Sequence, residues 1–209
     1  MDRRSRARRY VTRRPEGRPW ALVLLFTLAA GCSVVRSAWV RPDYERVDKH
    51  ETLRLAVVTA PLPAGDPKVG ELWSLIARRY ANQKRDFIAK KNLAAPQLPE
   101  GLCSEGIEGI LHLRPKVERH GDGVEASVAA TLTRCRDGEL VWKAEAAGSW
   151  PSEDPVLKQV TEDYVRELGE SVRPYVGPTF HLLKAVLDTL PRPELVDDED
   201  VLEKIELGE

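Results

Sequence analysis

The sequence predicts an α+β fold, a four-stranded and mainly antiparallel sheet with helices packed on one face, in the order β-α-β-β-β-α-α. Three observations predict it. A β-branched run, LRLAVVT (Leu53 to Thr59), gives way to apolar residues at helical spacing. Three alternating runs follow, separated by Asp-Gly turns. Two apolar stripes of helical period come after them, and prolines end the second.

In chain order, Pro61 and Pro63 stop the first strand. The stretch from Gly65 to Asn92 then takes helical spacing, with Val69, Leu72, Trp73, Ile76, Tyr80, Phe87 and Ile88 near one face, Asp66 as N-cap and Pro67 in the first turn. A loop with Pro96, Pro99 and Gly101 leads to Cys103. Ile107 to Val117 is read as the second strand, ended by the turn HGDG (120–123). The third strand alternates through Val124, Ala126, Val128, Ala130 and Leu132. After RDGE (136–139), the fourth places Leu140, Trp142, Ala144 and Ala146 on one side. Asp154-Pro155 opens a second helix with the stripe Leu157, Val160, Tyr164, Leu168 and Val172, which Pro174 and Pro178 are expected to break. A third helix carries Phe180, Leu183, Leu187 and Leu190. No internal repeat is present.

Ahead of this body stands WALVLLFTLAAGCS (Trp20 to Ser33), preceded by eight arginines and two acids. A membrane-spanning helix needs about 20 apolar residues, and the run from Trp20 to Gly31 falls short of that. A basic segment, a short apolar run and small residues at its end make a removable export signal, and the arginine flank argues against a buried helix of the domain. Arg13-Arg14 lacks the hydrophobic pair that a twin-arginine signal would place after it. The end of the run, Leu28-Ala29-Ala30-Gly31-Cys32, resembles the lipobox of bacterial lipoproteins. That resemblance implies cleavage between Gly31 and Cys32 by signal peptidase II and a lipid, palmitate included, on Cys32. The thiol is needed as the nucleophile that forms the thioether. Two or three acyl chains anchor a protein far more firmly than one. Ser33 permits outer-membrane sorting, where aspartate would retain the protein at the inner membrane.

The expected organisation is therefore a signal peptide over 1–31, a lipidated tether over 32–50, one α+β domain over 51–193 and an acidic tail over 194–209. The whole chain holds 32 basic and 33 acidic residues. Removing residues 1–31 takes away eight bases and two acids and leaves −7, and the tail, with eight acids and one base, carries all of it. The domain is neutral, so no nucleic-acid partner is expected. The tail reads as a solvated or interacting segment, although Val201, Leu202, Ile205 and Leu207 could form a stripe that docks.

Cys103 and Cys135 are the cysteines left after Cys32. In an oxidising compartment such a pair favours a disulfide. Without C-x-x-C or a histidine at ligand spacing, a metal site or redox pair is disfavoured, and no metal is expected. Centring the hairpin on Gly121-Asp122 sets Cys135 opposite residue 107 or 108. Cys103 could fold back there and hold helix against sheet. No nucleophile elbow, metalloprotease helix, P-loop or dinucleotide fingerprint occurs, and His50, His112, His120 and His181 are scattered, so no catalytic residue is assigned. No cofactor is expected beyond the lipid on Cys32. Trp73, Trp142 and Trp150 read as core filling before they read as a ligand pocket.

The stretches RPDYERVD (41–48), GELWSLIARRYANQKRDF (70–87), EGIEGIL (105–111), RCRDGELVWKAEAAGSWPSEDP (134–155) and DEDVLEKIELGE (198–209) together resemble an uncharacterised lipoprotein family of myxobacteria and leptospires, over nearly the whole chain after Gly31. The element order is reminiscent of periplasmic lipoprotein domains that assist secretion or assembly machines, such as the N-terminal domain of TolB-like proteins. The resemblance carries no assigned activity; the expected function is a non-catalytic accessory or adaptor of the cell envelope, held on the outer membrane facing the periplasm. Its partners would be the bilayer, through Cys32, and an envelope protein. A periplasmic carrier or sensor of a lipid or other small ligand is the alternative.

Overall fold

The computed structural model describes residues 34–62, 66–104 and 106–208. The expected lipid site Cys32, its cleavage partner Gly31 and the sorting residue Ser33 lie outside the described residues. Among the described residues the strands are β1 (Val35–Val40), β2 (Arg54–Thr59), β3 (Ile88–Ala94), β4 (Gly109–His120), β5 (Gly123–Arg134) and β6 (Leu140–Pro151). The helices are α1 (Pro67–Lys84), α2 (Lys158–Leu168), α3 (Arg173–Leu187) and α4 (Asp198–Gly208).

The strands form one six-stranded mixed sheet in the order β1-β6-β5-β4-β2-β3. This corrects the four-stranded, mainly antiparallel sheet read from the sequence. β1, β6, β5 and β4 are antiparallel neighbours, whereas β2 runs parallel to both β4 and β3. Two strands escaped the sequence reading. β1 lies within the segment read as a tether, and as an edge strand its Arg36, Ser37 and Ala38 stay exposed, so no apolar alternation marks it. β3 was absorbed into the first helix because Phe87 and Ile88 continue that helix's apolar face. The helix ends sooner, at Lys84, because the Asn82 amide bridges the chain reversal: its Oδ1 accepts from the Ala89 N–H at 2.6 Å and its Nδ2 donates to the Ala89 carbonyl at 3.1 Å. Arg85 is already extended, with φ −123° and ψ 159°.

Other boundaries follow from local chemistry. Asp66 caps α1 by accepting from the Lys68 N–H at 2.9 Å, with Pro67 in the first turn. The β4–β5 hairpin turns on Gly121-Asp122 with His120 opposite Gly123, and Gly121 takes the positive φ (57°) that a first central glycine supplies in a type II′ turn. Pro174 and Pro178 do not break the C-terminal helices. Pro174 sits in the first turn of α3, where a missing N–H costs nothing, and Pro178 lies one turn further in. The break between α2 and α3 falls at Gly169, whose φ of 101° suits glycine.

Period-two alternation sorts the sheet into two faces. Leu55, Val57, Leu111, Leu113, Val128, Ala130, Leu132, Trp142 and Ala144 point toward α1 and α3 and build the main core with Leu72, Trp73, Ile76, Leu182, Leu183 and Val186. Trp142 is fully buried, and its indole N–H donates to the Thr189 carbonyl at 3.1 Å just past α3. On the opposite face Ala56, Val58 and Ile110 form a small second cluster with Leu102 and Ile107 of the loop before β4. Beyond that cover the far face of β4, β5 and β6 carries His112, Arg114, Lys116, Glu125, Thr131, Lys143 and Glu145, partly or fully exposed.

Candidate functional site

The two remaining cysteines meet where β5 ends. Cys103, in a short 3-10 turn (Leu102–Ser104), is joined by a disulfide to Cys135, with Cα atoms 5.5 Å apart. The hairpin register brings Cys135 beside Glu108, whose carbonyl accepts from the Cys135 N–H at 2.7 Å. The covalent link therefore fastens the loop cover of the far face to the sheet. It does not hold helix against sheet, because Leu102 and Ile107 pack on Ala56, Val58 and Ile110 and away from α1.

Next to the disulfide is a buried ionic cluster. Arg134, 3 % exposed, donates to Asp48 at 2.6 Å, to Glu51 at 3.0 Å and through two nitrogens to Asp137 at 3.0 and 2.6 Å. Asp48 is fully buried, and its second oxygen has no partner among the described residues. Arg136 also reaches Glu51. The hydrogen bond from Arg134 holds the Asp137 carboxyl down at about 2. This cluster joins the segment after β1 to the β5–β6 turn. A shallow cleft of about 390 Å³ lined by His50, Glu51, Cys103, Ile107, Glu108, Cys135 and Arg136 lies beside it.

A second ionic cluster docks the C-terminal helix. Arg54, at the start of β2, donates to Glu108 at 3.2 Å, Asp200 at 2.6 Å and Glu203 at 2.8 Å, and Lys90 meets Glu203 at 2.7 Å. The Lys204 ammonium donates to the carbonyls of Asn82, Arg85 and Phe87 at 3.1, 2.5 and 3.1 Å. It thereby serves the orphan carbonyls at the C-terminal end of α1, where a cation is favoured. Burial pulls the Lys204 pKa below its ordinary value. The polarity of α4 is thus inverted. It docks by its charged side and leaves Val201, Leu202 and Ile205 exposed at 41, 61 and 57 %.

The third grouping is aromatic and acid–base. His181 Nε2 lies 2.7 Å from Asp154 Oδ2, and its ring stacks with Trp150 at 6.3 Å and 12°. The bond to His181 lowers the Asp154 pKa, and Asp154 also accepts from the Val156 N–H. The histidine–aspartate pair could orient an imidazole. Ser152, Lys158 and Thr161 line the same cleft as Asp154, and the Phe180 ring meets His181 edge-on. Among the described residues no group of three or more His, Cys, Asp or Glu side chains is placed to hold a metal. Clefts of about 320 and 460 Å³, one around Asp154, Lys158, Glu162 and Arg173 and one around Arg79, Asp163, Tyr164 and Glu167, are surface grooves lined mainly by polar and charged side chains.

No protein-family model matches the chain, and no curated protein matches it. Among solved structures, the PelC dodecamer from Paraburkholderia phytofirmans is similar at 21 % identity and a TM-score of 0.38, over 60 % of this chain and 88 % of that one. Lipoprotein GNA1162 from Neisseria meningitidis is similar at 15 % identity and a TM-score of 0.34, over 55 % of this chain and 96 % of that one. The LpoB C-terminal domain from Salmonella enterica is similar at 12 % identity and a TM-score of 0.23, over 47 % and 84 % of the two chains. A bacterial lipoprotein is thus among the structural neighbours.

Proposed function

We propose that this chain is a lipid-anchored lipoprotein of the cell envelope whose α+β domain serves as a non-catalytic accessory or adaptor for an envelope protein. The observation that carries the reading is the arrangement of Trp20 to Ser33: an arginine-rich flank, an apolar run too short to span a bilayer, and small residues directly ahead of Cys32. The Cys103–Cys135 bridge supports it, since such bonds persist in oxidising compartments. So does the use of the ionisable clusters. Arg134, Arg54 and Lys204 are spent on joining segments of the fold. Ser33 supports an outer-membrane address facing the periplasm, and the relation to the myxobacterial and leptospiral lipoproteins is part of the same proposal.

Replacing Cys32 by alanine removes the only thiol ahead of the domain. The Cys32→Ala variant is expected to leave the detergent-rich phase almost completely in detergent phase separation, or to accumulate as the uncleaved precursor. Unchanged partition of the mature-sized variant would sink the anchor. Crosslinking in intact envelopes followed by pull-down is expected to return a protein partner. A pull-down that returns none, with a small molecule retained by the purified protein in native mass spectrometry, would favour a carrier.

A further inference from the structure

We infer that the β1 edge of the sheet, centred on Trp39, is a membrane-contact surface, and that the domain lies on that edge against anionic bilayer lipid. The inference rests on the Cys32 anchor proposed above and adds the face and the partner it meets.

The covalent reach is short. Val34 already belongs to the sheet, its carbonyl accepting from the Ala147 N–H at 2.9 Å. Only Ser33 stands between Val34 and Cys32. A chain spans at most about 3.3–3.6 Å per residue, so a lipid on Cys32 would be tied within about 7 Å of Val34 by covalent reach alone. β6 runs antiparallel to β1 and continues past Ala147 to Pro151, which pairs with Gly123 beside the hairpin tip. Those four further residues extend about 13 Å at strand rise. In an upright domain the hairpin end would overrun Val34 by that length and press Glu118, Arg119, His120, Asp122 and Glu125 against the headgroup layer. Three of those side chains are acids, which an anionic headgroup layer repels. Laying the sheet on its β1 edge removes the conflict.

That edge has the composition of an interfacial contact. Arg36 to Val40 are all exposed, and Trp39 and Val40 are 39 and 36 % accessible. Trp39 pairs with Lys143 across the β1–β6 ladder, and the Lys143 ammonium lies 5.9 Å from the centre of its ring. Arg36 adds a second cation to the edge; Trp39 shares the far face with Lys143, Val40 lies on the core side, and the acid of the β1–β6 pair on the far face is Glu145, opposite Ser37. Tryptophan prefers the headgroup level, and long cationic side chains keep their charge in the aqueous layer while their stems cover apolar surface. Arg36 and Lys143 select anionic lipid over neutral lipid.

The test uses full-length acylated protein in vesicles of phosphatidylethanolamine and phosphatidylglycerol with brominated acyl chains, which quench an indole on close approach. After Gly31 the tryptophans are Trp39, Trp73, Trp142 and Trp150, of which Trp73 and Trp142 are fully buried. The expected result is partial quenching that disappears in Trp39→Phe and persists in Trp150→Phe. An acylated protein that floats with the vesicles yet shows no quenching, or loses it only in Trp150→Phe, would overturn this surface and leave the anchor standing. An N-terminal peptide that carries no lipid by mass spectrometry would overturn the anchor, and this surface with it.

Discussion

Arg134→Ala is expected to destabilise the domain by about 3–5 kcal/mol, the cost of stripping the partner from a buried charge. The guanidinium is 3 % exposed and serves three carboxylates, of which Asp48 has no access to water. Without it, Arg41 Nη1, 3.8 Å from Asp48, is the cation left beside that carboxylate. Denaturant midpoints of the purified domain measure the loss. Asp48→Asn in the Arg134→Ala background should recover part of it, because the second change removes the stranded charge. The pH dependence gives an independent sign. The folded-state pKa of Asp137 lies at about 2, below its ordinary 3.8, so its pairing stabilises the fold above pH 3.8 and is lost as pH falls from there to about 2. That part of the acid limb should be missing in Arg134→Ala. A loss under 1 kcal/mol, with an unchanged acid limb, would mean that solvent reaches Asp48.

Removing the disulfide should come next in size. The bridged residues are separated by 32 positions, and on the chain-entropy model a loop of that length contributes about 3–4 kcal/mol. Cys103→Ala with Cys135→Ala is expected to lower stability by that amount. Amide exchange should rise first in the segment from Leu102 to Ile107, since the bridge fastens the cover over Ala56, Val58 and Ile110. The main core, on the other face of the sheet, should keep its protection. Non-reducing peptide mapping of the native protein should recover the two cysteines in one crosslinked pair. Two titratable thiols, or an unchanged midpoint in the double variant, would contradict the assignment.

The legible parts of the fold were those where one local rule acted alone. The three long strands announced themselves because β4 to β6 have one buried face and one polar face, with glycine at the turns. Capping of α1 was equally plain in Asp66-Pro67. β3 was obscured by competition between two periods, since Phe87 and Ile88 satisfy the helix as well as the strand. The deciding contact, Asn82 reaching across to Ala89, is a tertiary choice that no period records. β1 was obscured because an edge strand needs hydrogen bonds from one neighbour only and little apolar content. For the same reason Trp39 drew no notice. The cysteine pair was legible from number and compartment, whereas the Arg134 and Arg54 clusters were not. Their partners lie up to 149 positions away and carry no local pattern.

The pairing of β1 with β6 also orders events in time. Val40 stands opposite Trp142, a separation of roughly 100 residues, while β4, β5 and β6 are linked by short hairpins. Local hairpins close quickly and distant strands late. On the export route proposed above, β1 emerges before the other described strands and is the last to find its neighbour, which is complete only once the chain through Pro151 has followed. A nascent domain truncated before residue 140 would hold a strand with nothing to pair to. Such an unpaired edge is where misassembly between neighbouring chains begins. Completion of β6 is therefore the step at which this protein stops being a hazard to its own copies.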